Sequence, residues 1–285
     1  MTSRARRRRF GTLALAALIC STSVLSGCST DGGPDEHSTG SAAADAPAFP
    51  ASATPDYQLG GAYDPADGVG IVGRDRADDP ADGLYSICYV NGFQTQPGEL
   101  DSWPEDLLLQ GDDGPVFDPD WPDEALLDTS TSEKREAIAA IVGPWIEGCA
   151  ASGFQAVEFD NLDTYSRSDG ALTLDDNLAM ATLLVGVAHD SGLAAGQKNA
   201  AEDAADLRGS AGFDFAVVEE CAAYRECEAY TRVYGDHVID IEYTDELPRS
   251  FAEMCADPET PRSVVLRDRD LRPAGVEGHV FETCP

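Results

Sequence analysis

Four times in the middle of this chain the same short phrase recurs: a glycine, a brief apolar run, then polar or charged residues. Gly153 precedes F-Q-A-V-E-F, which ends at Asp160-Asn161, and Gly192 precedes L-A-A-G-Q, which ends at Lys198-Asn199. Gly212 precedes F-D-F-A-V-V, which ends at Glu219-Glu220, and Gly235 precedes D-H-V-I-D-I, which ends at Glu242-Tyr243. The glycine supplies the left-handed stop of a preceding helix, and the apolar run a strand buried on both faces. Repeated αβ units of this kind build a parallel sheet. With further candidates at residues 57–60, 69–72, 84–90, 125–128 and 263–267, about nine strands are expected, close to the eight of a (β/α)8 TIM barrel of roughly 250 residues. A doubly wound sheet would carry a glycine-rich phosphate turn after its first strand, and no G-x-G-x-x-G occurs.

Two helices are marked. Ser130 and Glu133 match a capping box, and Ile138, Ile141, Val142, Trp145, Ile146 and Cys149 then fall on one face. Thr173 and Asp176 cap a second helix striped by Leu178, Ala181, Leu184, Val185 and Ala188. Residues 92–123, rich in Pro, Gly and Asp with two tryptophans, read as a long loop.

The barrel is expected over residues 56–285. Ahead of it, residues 1–27 read as an export signal: Arg4 and Arg6 to Arg9, then an apolar stretch too short to span a membrane comfortably. Leu25-Ser26-Gly27-Cys28 resembles a bacterial lipobox, which makes Cys28 the lipidated first residue of a cell-membrane lipoprotein on the extracytoplasmic face. The arginine run also permits a twin-arginine route. Residues 28–55, mostly Ser, Thr, Ala, Gly, Pro and Asp, read as a flexible tether.

Six cysteines remain after Cys20 and Cys28 are set aside, and an exported domain turns such cysteines into disulfides. Spacing proposes Cys221 with Cys227; Cys88 with Cys149 and Cys255 with Cys284 complete the set only as a guess. No C-x-x-C, no H-E-x-x-H and no histidine cluster points to a metal, and no cofactor motif appears. Net charge is -33, and removing the five signal arginines takes it to -38, which makes nucleic acid a poor partner. Solubility alone accounts for such acidity in most chains; attraction of a cationic ligand is the functional alternative. Nothing in the sequence sets an oligomeric state.

In a barrel the strand C-termini converge on one rim, and that rim carries the active site. Asp160, Lys198, Glu219, Glu242 and Asp268 all end strand candidates. Any one acid there more often caps a helix or pairs with a base; their recurrence favours a site. Two carboxylates with pKa values pushed apart can share acid and base work, as in glycoside hydrolysis. Lys198 would hold a carboxylate as an anion, Asn161 and Asn199 would bond sugar hydroxyls, and Tyr165, Tyr224 and Tyr243 would stack on sugar rings or pack in the core.

V-E-F-D-N-L-D-T-Y (157–165), G-Q-K-N, E-E-C-x5-C, V-I-D-I-E-Y and R-D-R-D-L, in that order, resemble the motifs of glycoside hydrolase family 114, the endo-α-1,4-polygalactosaminidases. The resemblance covers most of residues 57–284. It implies a (β/α)8 barrel that cuts α-1,4-linked galactosamine polymers with retention. By motif, Asp160 is implied as nucleophile and Glu219 as general acid/base, with Asn161, Asp163, Tyr165, Lys198, Glu242 and Tyr243 lining the sugar site. Tyr57 stands where a tryptophan is usual, Arg267 where a lysine is, and residues 89–97 differ from the family's stretch; these departures bear on subsite specificity. Unacetylated galactosamine carries ammonium groups, so the resemblance also gives the acidity a use as an anionic cleft for a cationic polysaccharide. The rival readings are a surface lipoprotein that binds glycan without cutting it and a metal-assisted hydrolase.

Overall fold

The computed structural model describes residues 46–285. The export signal, Cys28 and most of the tether lie outside the described residues. Eight parallel strands follow one another around the sheet in chain order: β1 (Thr54–Tyr57), β2 (Val69–Asp75), β3 (Tyr85–Asn91), β4 (Ala156–Asp160), β5 (Ala194–Lys198), β6 (Phe215–Glu219), β7 (Val238–Tyr243) and β8 (Ser263–Arg267). A short β9 (Phe281–Thr283) runs antiparallel along the free edge of β8. The sheet is a nearly closed barrel. Among the described residues β1 has a backbone ladder to β2 alone, and its junction with β8 is made by a side chain: Arg267 Nη1 donates to Asp56 Oδ1 at 2.9 Å and to the Tyr57 carbonyl.

Helices fill the later crossovers. α1 (Ser132–Ser152) lies between β3 and β4, α2 (Leu174–Asp190) between β4 and β5, α3 (Cys227–Tyr234) between β6 and β7, and α4 (Phe251–Cys255) between β7 and β8. The expected stripe of α1 holds, with Ile138, Val142, Ile146 and Cys149 buried, but its cap falls one residue later than expected. Thr131 accepts from Lys134 N, while Ser130 is drawn back to Asp128. The Thr173–Asp176 capping box of α2 forms as expected. Gly153, Gly192, Gly212 and Gly235 all take positive φ ahead of their strands; Gly153 and Gly212 are the left-handed helix stops their spacing assigned, whereas Gly235, with ψ -126°, ends α3 outside the left-handed helical region. Among the described residues no helix is long and apolar enough to cross a membrane.

Side chains alternate strictly between two cores. Ile71, Ile87, Ala156, Ala194, Phe215, Val217, Ile239, Ile241 and Val265 fill the barrel, while Val90, Val157, Phe159, Ala195, Ala216, Val218 and Leu266 face the helices. Gly196 makes room within the barrel: a Cβ there would lie 2.5 Å from the Phe215 ring. Three disulfides, Cys88–Cys149, Cys221–Cys227 and Cys255–Cys284, are paired as guessed from sequence and suit an oxidising, extracytoplasmic compartment.

Three expectations are corrected. Residues 125–128 are no barrel strand; Ala125, Leu126 and Leu127 make isolated bridges to Phe117, Gln94 and Leu108, so their apolar run buries the inside of the 92–128 loop. The first strand lies at Thr54–Tyr57, not 57–60, because Gly60 already abuts the Leu271 carbonyl in a turn. The ordered domain also begins before residue 56, since Phe49 stacks on Phe215 at 5.0 Å and meets Tyr85 edge-on, stopping the N-terminal mouth of the barrel.

Candidate active site

The alternation that fills the barrel also selects the residues of its rim. Asp160 follows Ala156 and Glu158 by steps of two, Lys198 follows Ala194 and Gly196, Glu219 follows Phe215 and Val217, and Tyr243 follows Ile239 and Ile241. All four therefore project inward at strand C-termini. Lys198, 4% exposed, stands between the two acids: Nζ is 2.9 Å from Glu219 Oε2 and 3.6 Å from Asp160 Oδ2. Tyr89 donates its hydroxyl to Asp160 Oδ2 at 2.8 Å, and the Asn161 amide donates to Oδ1 at 2.9 Å. Glu219 accepts from Asn199 Nδ2 at 2.9 Å and from the Tyr243 hydroxyl. Asn161 and Asn199 both adopt positive φ, and the Asn199 side-chain amide reaches across to the end of β6, where its Oδ1 also accepts from the Glu219 amide at 2.9 Å.

Electrostatics separate the acids. Burial pushes the Glu219 carboxyl up, but the Lys198 charge and the bonds from Tyr243 and Asn199 outweigh it and hold the group at about 2. Burial would neutralise Lys198; Asp160, Glu219 and Glu158 instead keep it protonated above its ordinary range. Glu158, fully buried one step below Asp160, is pushed up to about 7 by burial, which the Lys198 charge and a hydrogen bond from the Tyr57 hydroxyl only partly oppose.

Above this cluster the cleft has two lobes, of about 490 and 180 Å³, which share Trp121, Asp160, Asn161, Lys198 and Asn199. Another cavity, of about 520 Å³, opens beside Asp64, Arg74 and Asp79 and shares no lining residue with the cleft. Arg74 there is committed to Gln58 and to the carbonyls of Tyr63 and Asp79.

Asp160, Lys198, Glu219, Tyr243 and Asn161 thus meet as the sequence placed them, and Asp163 lines the smaller lobe, paired with Arg167 at 2.9 Å. Four expected contacts do not reach the cleft. Glu242 lies on the opposite parity from Tyr243 and points into the helix layer, fully buried, where it accepts from the amides of Ala222 and Ala223. Tyr165 packs against Leu109, Leu126 and Leu172 and donates to Asp203 Oδ2 at 2.9 Å. Asp268 caps its own turn by accepting from the amides of Arg272 and Val280, and Tyr224 is bonded outside the cleft to Glu246. Sequence reasoning flagged Tyr57 only as a departure from the family; it missed Tyr89 and Glu158, which the period-two pattern could have found, and Trp121 and Glu124, which arrive on the long loop and have no periodic signal.

A family model, glycoside-hydrolase family GH114, matches residues 36–285. The chain belongs to GH114. It is a glycoside hydrolase. Among solved structures, Aspergillus fumigatus Ega3 in complex with galactosamine is 21% identical, covers 84% of this GH114 chain and 98% of its own, and superposes with a TM-score of 0.67. The glycoside hydrolase domain of PelA from Pseudomonas aeruginosa is 15% identical over 78% of this chain and 97% of its own, with a TM-score of 0.55. Both show the same barrel. Comparison with curated proteins gives no match.

Proposed function

We propose that this enzyme cuts within α-1,4-linked galactosamine-containing polysaccharide by a two-step reaction that retains configuration, using Asp160 and Glu219. The observation that carries the reading is the single ammonium of Lys198 between two carboxylates on nearby strand ends. Its two distances cap the separation of the facing oxygens at about 6.5 Å. That suits the roughly 5–5.5 Å of retaining enzymes better than the 6.5–9.5 Å that leaves room for an inverting water.

Asp160 attacks the anomeric carbon as the bond to the glycosidic oxygen breaks, and Glu219 gives that oxygen its proton. Glu219 then takes a proton from water as the oxygen of that water displaces Asp160. The resident charge distribution sets a condition on the first step. Glu219 is ionised in the free enzyme, so substrate must exclude water and draw Lys198 toward Asp160 before Glu219 can hold a proton. The two-lobed cleft, open on both sides of Asp160, supports internal cleavage, and a lipidated Cys28 would tether the enzyme outside the cell membrane.

The depressed pKa of Glu219 favours a second reading in which the roles are exchanged, Glu219 attacking and Asp160 carrying the proton. Activated aryl glycosides decide between them, because loss of the acid/base spares a good leaving group while loss of the nucleophile does not. Under the first assignment Glu219→Gln keeps turnover on an aryl substrate and Asp160→Asn does not; the reverse result exchanges the roles. Should wild type bind de-acetylated polygalactosamine yet release no fragments, the non-catalytic glycan-binding alternative replaces both.

A further inference from the structure

Among the carboxylates that line the cleft, Glu124 is distinguished by being buried with no cation within ion-pair distance among the described residues. Asp160 and Glu219 share Lys198, and Asp118 is held by Arg167 at 2.6 Å. Glu124 is 9% exposed and lines the larger lobe. The one hydrogen bond to its carboxylate among the described residues comes from Asn91 Nδ2, 3.2 Å from Oε2, and leaves Oε1 uncommitted. A buried anion so placed is costly unless something cationic completes it.

Three residues before it, Trp121 is 60% exposed and borders both lobes. The two are parts of one braced turn. The Glu124 amide donates to the Trp121 carbonyl at 2.9 Å, with Pro122 between them setting the backbone. Asp118 accepts from the amides of Asp120 and Trp121 and is itself fixed by Gln94 at 2.7 Å. An indole held in solvent by a rigid turn offers a flat apolar surface, and the carboxylate beside it offers a charge. Together these match the two unlike parts of a hexosamine, the apolar face of its ring and its ammonium group.

We propose that the Trp121–Glu124 turn is an amino-sugar subsite beside the catalytic pair, Trp121 carrying the sugar ring and Glu124 its ammonium group. The inference rests on the polysaccharide reading above and adds to it the residue that separates free amine from N-acetylated units. Burial first, then the charges of Asp160, Asp123 and Asp118, hold Glu124 up at about 7, against the hydrogen bond from Asn91. A bound cation relieves that cost, so recognition through Glu124 strengthens as pH rises to about 7.

The test uses de-acetylated and N-acetylated α-1,4-galactosamine oligosaccharides with wild type, Glu124→Gln and Trp121→Ala. Glu124→Gln should raise KM on the free-amine form about 10-fold or more, the scale of one charge-assisted contact, and leave kcat and the N-acetylated KM nearly unchanged. Trp121→Ala should raise KM on both forms; its side chain stands in solvent, so it probes the subsite even if Glu124→Gln folds poorly. Between pH 6 and 8 wild type and Glu124→Gln should differ in the pH dependence of KM, the substrate's own titration being common to both. Calorimetric binding of the same oligosaccharides needs no turnover. Selective loss of free-amine binding in Glu124→Gln sustains the subsite even if neither polymer is cut, in which case only the hydrolysis of this polymer fails. An unchanged free-amine preference in Glu124→Gln, or no binding by wild type, overturns the subsite.

Discussion

Two pairs of acids on the barrel strands meet opposite fates, Asp160 and Glu219 at the ends of β4 and β6, Asp240 and Glu242 two residues apart on β7. Asp160 and Glu219 point into the barrel, share Lys198 and open to the cleft, with side chains 18% and 26% exposed. Asp240 and Glu242 point the other way, both fully buried, and have no cation within ion-pair distance among the described residues. Asp240 Oδ1 accepts from the Cys221 amide, and Glu242 Oε1 from those of Ala222 and Ala223, which caps the short helical turn after β6. Their other oxygens have no protein donor among the described residues, and one proton between them satisfies both. Burial and mutual repulsion hold the Asp240 carboxyl far above its ordinary range, and burial raises Glu242. The same two residue types thus become a charged reaction centre or a neutral brace, according to whether a lysine or a proton balances them.

The sharpest break of this comparison is catalytic. Asp160→Asn should lower kcat on the polymer at least about 10³-fold, whereas Glu242→Gln should leave it within about threefold. Next, Lys198→Met should cost about 100-fold or more in kcat/KM. It should also move the basic limb of the rate profile to higher pH, since Glu219 must carry a proton for the first step and Lys198 is the main force holding it near 2.

A stability measurement follows. Glu158 lies within the field of Lys198 but is not bonded to it, and its folded pKa of about 7 exceeds the unfolded carboxylate value. The folded state keeps a proton that the unfolded chain releases, so stability should fall as pH rises between about 4.5 and 7, by about 3 kcal/mol at most. Glu158→Gln should flatten that fall in urea melts. The smallest effect belongs to the brace. Its shared proton gives the same sign at higher pH, and Glu242→Gln should hold Tm a few degrees above wild type in alkaline buffer with little change near pH 5.

Much of this arrangement could be read from the chain. A glycine at a helix end and an acid at a strand end are local requirements, so Gly153, Gly212, Asp160 and Glu219 announce themselves. Glu242 shows the limit of reading strand ends without parity, because Tyr243 beside it already occupies the inward step. Residues 125–128 read as a strand because Ala-Leu-Leu has the composition of one, although its partners, Phe117, Gln94 and Leu108, belong to the same loop. Trp121 and Glu124 were beyond reach for a related reason. Their place over the cleft depends on Asp118 meeting Arg167, a contact between distant segments that leaves no periodicity.

The seam between β1 and β8 bears on how the domain responds to force. A pull applied ahead of Thr54 enters the barrel through β1, which among the described residues has a ladder on one edge. Across its other edge the load passes through the Arg267 guanidinium to Asp56 and the Tyr57 carbonyl. That one side chain is a latch. While it holds, tension is shared with β8 and, through β9, with the segment that Cys284 fastens to Cys255; once it slips, β1 can peel from β2 one residue at a time.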